Sequence, residues 1–89
     1  MSLNPAYSRE ADVALSKLEE GPDALLQNAV ADAIDLICDH PDSAEARRRR
    51  LTDKSGRPVW SVAVRSREGW VVLWWPDGRD AYIAYIGPM

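Results

Sequence analysis

The sequence has no phenylalanine, one cysteine, one histidine and no long apolar run, and each lack removes a class of function. With Cys38 alone, no internal disulfide forms and a cysteine-bound zinc site lacks its ligand set. With His40 alone, a serine–histidine–aspartate arrangement rests on one residue at a helix end, far along the chain from any poised serine. No stretch approaches the ~20 apolar residues of a membrane span. No apolar run follows a basic start as in a signal peptide, so the cytoplasm is the expected location. Basic excess is lacking as well. The net charge is −3, which argues against tight nonspecific binding to nucleic acid, because that affinity comes largely from counterions released by Lys and Arg. Neither a metal nor a cofactor is expected.

What is present fits one domain over residues 1–89, with 46% hydrophobic residues in a chain long enough for a single modest core. The opening stretch from Leu3 to Ser8 reads as a short strand or an extended lead-in, where Pro5 permits only an edge position. Ser8 is a natural N-cap, with Glu10 in the first turn, where a carboxylate suits the positive end of the helix dipole. Ala11, Ala14, Leu15 and Leu18 then recur at helical spacing. Gly21 and Pro22 end that helix and start the next, with Pro22 at a first helical position. Leu26, Ala29, Val30, Ala33, Ile34 and Ile37 carry the second apolar stripe, which stops near His40 because Pro41 disfavours a helical residue before it. The short connection makes the two helices an antiparallel hairpin.

After the helices the period changes to two. Val59 to Val64, Trp70 to Trp75 and Ala81 to Ile86 read as three antiparallel strands, joined at "RSREG" and "PDGRD". The expected fold is therefore α+β, a helical hairpin packed on one face of a small antiparallel sheet, in β-α-α-β-β-β order.

Strand alternation divides the sheet residues between two faces. Trp60, Val62, Val64, Trp70, Val72, Trp74, Ala84 and Ile86 are assigned to the helix side. Ser61, Ala63, Val71, Leu73, Trp75, Ile83 and Tyr85 fall on the other, open side. Antiparallel sheets usually show water a polar face, and this one is mostly apolar. Burying one large apolar side chain is worth roughly 1.5–3 kcal/mol, so five left bare would forgo a sum comparable to a small domain's stability. A cover is expected: a second copy, a different protein, or the arginine-rich segment folded back with its aliphatic stems.

The other chemistry-bearing residues are weaker candidates. The run Arg47, Arg48, Arg49, Arg50 suits phosphate or, on an acidic chain, an acidic partner; it also suits a solvated segment balanced by Asp39, Asp42 and Glu45. Glu19 and Glu20 sit near a helix end, and Asp77 and Asp80 flank a tight turn, so no carboxylate pair is set for acid–base work. Tryptophans that stack bases come with a basic groove, which the composition does not provide.

The order of "AYSREADVALSKL", a second helix, "DHPDSAEARRRRL", "VWSVAVRSREGWVVLWW" and "YIAYIG" resembles the RelE/ParE superfamily of toxins from bacterial type II toxin–antitoxin pairs, over nearly the whole chain. The resemblance implies a cognate antitoxin as partner. It also implies basic nuclease residues on the open face in the ribosome-dependent branch. The lysines of that branch fall on Ser61 and Ala63, its strand arginine falls on Val71, and its C-terminal arginine falls near Met89. Its later tyrosine lies beyond the last residue. None of these is matched, so RelE-type messenger cleavage is not expected. A host target such as gyrase or the ribosome follows from analogy alone.

Three functions fit these residues. The first is a toxin-like component that binds an antitoxin through Val71, Leu73, Trp75, Ile83 and Tyr85 of the open face, with Arg47, Arg48, Arg49, Arg50 and Arg65 at its margin. The second is a catalytically inactive interaction module or homodimeric scaffold of the same fold. The third is a ribonuclease that uses Arg47 to Arg50 and Arg65 in place of the family's residues.

Overall fold

The computed structural model describes residues 2–89. The ambiguous opening stretch is a strand, β1 (Asn4–Tyr7), at one edge of the sheet, where the missing N–H of Pro5 is tolerated. Helix α1 (Arg9–Glu20) starts at Ser8, whose hydroxyl accepts a hydrogen bond from the Ala11 N–H at 3.1 Å. Helix α2 (Ala24–Asp39) starts two residues later than expected. Its N-cap is Asp23, which accepts from the Leu26 N–H at 3.0 Å, so Pro22 lies in the connection and not in the first turn. A carboxylate aimed at free N–H groups outcompetes a proline that merely fits the helical φ. The Asp23 carboxylate also pairs with Arg67, tying the start of α2 to a turn of the sheet.

The sheet has five strands; four of them follow the helices, one more than the three that the period-two pattern shows there. The additional strand, β2 (Arg49–Thr52), is followed by β3 (Pro58–Ala63), β4 (Trp70–Asp77) and β5 (Asp80–Pro88). In space the order is β1-β5-β4-β3-β2; β1 runs parallel to β5 and the other neighbours are antiparallel. Strand β2 is hidden in the sequence because three of its residues are Arg49, Arg50 and Thr52. It forms because the next turn is strongly specified. The Asp53 carboxylate accepts from the N–H groups of Ser55 and Arg57 and from the Ser55 hydroxyl, while Gly56 supplies a φ of 87°.

Both helices pack on one face of this sheet. Val30, Ile34 and Ile37 of α2 and Ala11 of α1 close over Val62, Val72, Trp74, Ala81, Ile83 and Ile86. Trp74 is the largest fully buried side chain, and its indole N–H donates to the Ala46 carbonyl at 2.8 Å. That bond holds the segment after α2 against the helix side of the core. Among the described residues no helix is long and apolar enough to cross a membrane.

The alternation along β5 is broken once. Leu73 pairs with Tyr85 and Trp74 with Ile83, which leaves Ala84 as an extra residue. Such a bulge reverses the face of everything beyond it. Ile83, assigned to the open face by simple alternation, is in the helix-side core and fully buried. Ala84, assigned to the helix side, is not part of that core. The Ala84 carbonyl accepts the Ser8 hydroxyl at 2.7 Å, so the bulge is held by the residue that starts α1.

Candidate partner-binding face

Opposite the helices the sheet presents Leu51, Val59, Ser61, Ala63, Val71, Leu73, Trp75 and Tyr85, placed by cross-strand register. Tyr82 joins them in place of Ile83, because it pairs with Trp75. The Trp75 and Tyr82 rings meet with centroids 4.7 Å apart. The Arg57 guanidinium lies 4.6 Å from the Trp75 centroid, close enough for a cation–π contact. The Tyr85 hydroxyl reaches along its own strand and donates to the Pro88 carbonyl at 2.5 Å. This places the ring over Gly87, where a Cβ would stand 2.8 Å from the Tyr85 hydroxyl oxygen.

These contacts change the expected burial. Val71, Leu73, Trp75, Tyr82 and Tyr85 are each half-buried, and Val59 and Ser61 are buried, so the large residues of this face partly cover one another. The expectation of five bare side chains is therefore too severe. What is left is an aromatic and aliphatic surface without a helix over it. Arg57 and Tyr82 are the members that strand alternation does not supply. Arg57 comes from a turn, and Tyr82 reaches this face only through the bulge.

The arginine run does not fold over this face as a block. Arg47 turns to the helix side, with its guanidinium 5.2 Å from the Trp60 centroid. Its Nε donates to the Pro41 carbonyl at 2.7 Å, and an Nη pairs with Asp42 at 3.0 Å. Arg49 stands opposite Ser61 on the open side, and Arg50 stands opposite Trp60 on the helix side. Arg65 pairs with Glu45 at 2.9 Å, an exposed contact worth a fraction of a kcal/mol, on the order of 0.5. Arg48 and Arg65 line a groove of about 360 Å³ between α2 and β3, together with Ala33, Leu36, Asp32 and Glu45. The five arginines thus divide among two faces and a groove and do not converge on one phosphate-sized position.

The remaining reactive side chains lie elsewhere. Cys38 is buried near the end of α2, and burial, followed by the carboxylates of Asp39 and Asp35, pushes its thiol above the ordinary range. Burial raises Tyr7 in the same way. The Ser55 hydroxyl and the Arg57 and Ser55 N–H groups hold Asp53 below the usual carboxylate range. Cys38 lies on α2 and Tyr7 pairs with helix-side Ile83, so neither is on the open face; Asp53 sits in the turn that brings Arg57 to the rim of that face. Among the described residues no three His, Cys, Asp or Glu side chains are grouped to hold a metal ion.

Neither a protein-family model nor a curated protein matches this chain. Among solved structures, the chain is similar to a chain of the YoeB–YefM complex from Staphylococcus aureus, with a TM-score of 0.72 and 14% sequence identity. The match covers 100% of this chain and 99% of that one. The likeness is one of fold: two helices on one face of a five-stranded, mostly antiparallel sheet.

Proposed function

We propose that this chain is the toxin-like member of a toxin–antitoxin pair, that it binds an antitoxin on the open face of its sheet, and that it acts without RelE-type messenger cleavage. The observation that carries this is an aromatic face left without a helix, on a fold shared end to end with a chain from a complex of two proteins. The binding centre is the cluster of Leu73, Trp75, Tyr82 and Tyr85. Buried aromatic anchors dominate protein interfaces, and here they are already held in place by one another, which lowers the ordering cost of association.

Cleavage through a ribose 2′-hydroxyl needs a base for that hydroxyl and positive charge for the developing phosphorane. Ser61, Ala63 and Val71 stand in the middle of the face and supply neither. The cation nearest the aromatic cluster, Arg57, is engaged with Trp75. A target of the free protein is accordingly blocked by occupancy of the same face and not cut.

The test is binding to the protein encoded beside this chain's gene, followed by calorimetry with Val71→Asp and Trp75→Asp. A loss of at least about 100-fold in affinity with unchanged circular dichroism supports the face. Unchanged affinity removes it. The mutual burial of the face residues also favours a second reading, an inactive interaction module stable on its own; a folded wild type that leaves bacterial growth untouched would select it.

A further inference from the structure

We propose that the outer edge of β2 accepts an extended, acid-rich segment of a partner protein as a sixth strand. The proposal deepens the reading above, and rests on it in taking the partner to be a protein. Strand β2 is the last of the sheet on its side, and Arg48, Arg49, Arg50 and Thr52 are all exposed. The Asp53 N–H donates inward to the Arg57 carbonyl, so by the two-residue alternation Leu51 and Arg49 also point their backbone groups at β3. The N–H and C=O of Arg50 and Thr52 then point outward. Among the described residues no backbone group reaches them. Unpaired edges of this kind are templates for a further strand.

The side chains select the occupant. Among the described residues Arg48, Arg49 and Arg50 have no carboxylate within ion-pairing distance, although other arginines of the chain do. Arg49 projects to the open face and Arg50 to the helix side. A strand laid along the edge also alternates its side chains, so two consecutive acidic residues reach both arginines, one on each face. A nucleic-acid backbone follows one face and offers no alternating amide donors and acceptors. A second copy brings the same arginine-rich strand and no pair of consecutive acidic residues, and paired about Arg50 it sets Arg50 directly opposite Arg50, which is destabilising.

The experiment uses the full chain and a capped peptide, Thr-Val-Glu-Glu-Val-Thr-Glu, with its lysine-for-glutamate counterpart and an oligouridylate as rivals. Amide exchange and affinity are followed by NMR at low salt. The glutamate peptide is expected to bind and to slow exchange at Arg50 and Thr52 by about ten-fold or more. Arg49→Glu with Arg50→Glu should weaken it by more than about ten-fold, because each contact is charge-assisted. Thr52→Pro removes an outward N–H without touching the ladder to β3, and should abolish the protection while the chain stays folded. Trp75→Asp should leave peptide binding unchanged, which separates failure of this edge from failure of the open face. Binding without protection at Arg50 and Thr52, binding that survives Thr52→Pro, tighter binding of oligouridylate, or no binding at all would each overturn the proposal; the last would leave the arginines as guards against edge aggregation.

Discussion

The Ser8 hydroxyl donates to the carbonyl of Ala84, the β5 residue without a partner on β4, at 2.7 Å. The same oxygen accepts from the Ala11 N–H and so caps α1. One side chain therefore starts the first helix and holds the bulge that sends Ile83 into the core and Tyr82 to the open face.

Removing the hydroxyl should cost both functions. Ser8→Ala is expected to lower stability by about 1–2 kcal/mol in urea unfolding, for the lost cap and the stranded carbonyl together. Ser8→Asp separates them, since aspartate caps well but, when ionised, cannot donate to Ala84. It should also be destabilised. Wild-type stability for Ser8→Asp would show that the Ala84 contact contributes nothing.

Much of this fold is legible in the sequence, and the failures trace to particular contacts between residues apart in sequence. The helices announce themselves through the apolar stripes from Ala11 to Leu18 and from Leu26 to Ile37, and β4 through Trp70 to Trp75. The face of β4 follows from simple alternation because no bulge interrupts it. On β5 the same rule assigns Ile83 and Ala84 wrongly, because the bulge depends on Ser8, 76 residues away in sequence. Strand β2 is illegible for a different reason: its stability lies in the Asp53 turn and in pairing with β3, not in the residues of "RRLT". The division of the arginines follows from that strand, so it was equally hidden. Arg57 over Trp75 joins a turn to a strand of the meander and has no signature in spacing.

Asp53 predicts a pH effect confined to acid. Its folded pKa is depressed by the Ser55 hydroxyl and the turn N–H groups, so its contribution is full above the unfolded value and is lost as pH falls through the folded one. The carboxyl carbon of Asp53, followed by NMR, should titrate below the ordinary aspartate value. The stability difference between wild type and Asp53→Asn should shrink over that same acid range. Titration at or above the ordinary value would mean that the turn does not favour the charged form.

Cys38 should be a slow thiol. It is 8% exposed, and burial together with Asp39 and Asp35 keeps it protonated at neutral pH, whereas the thiolate is the reactive form. Reaction with a disulfide reagent at pH 8 is expected to run at least about ten-fold slower than in the urea-unfolded chain. Equal rates would place the thiol in solvent.

The most direct test of the account is viable count after inducing this chain alone in a bacterial host, beside Trp75→Asp, with messenger integrity read from the same cells. The account predicts that wild type arrests growth with messenger intact and that Trp75→Asp, folded and equally abundant, does not. Normal growth with soluble wild-type protein, or arrest accompanied by cleaved messenger, would contradict it.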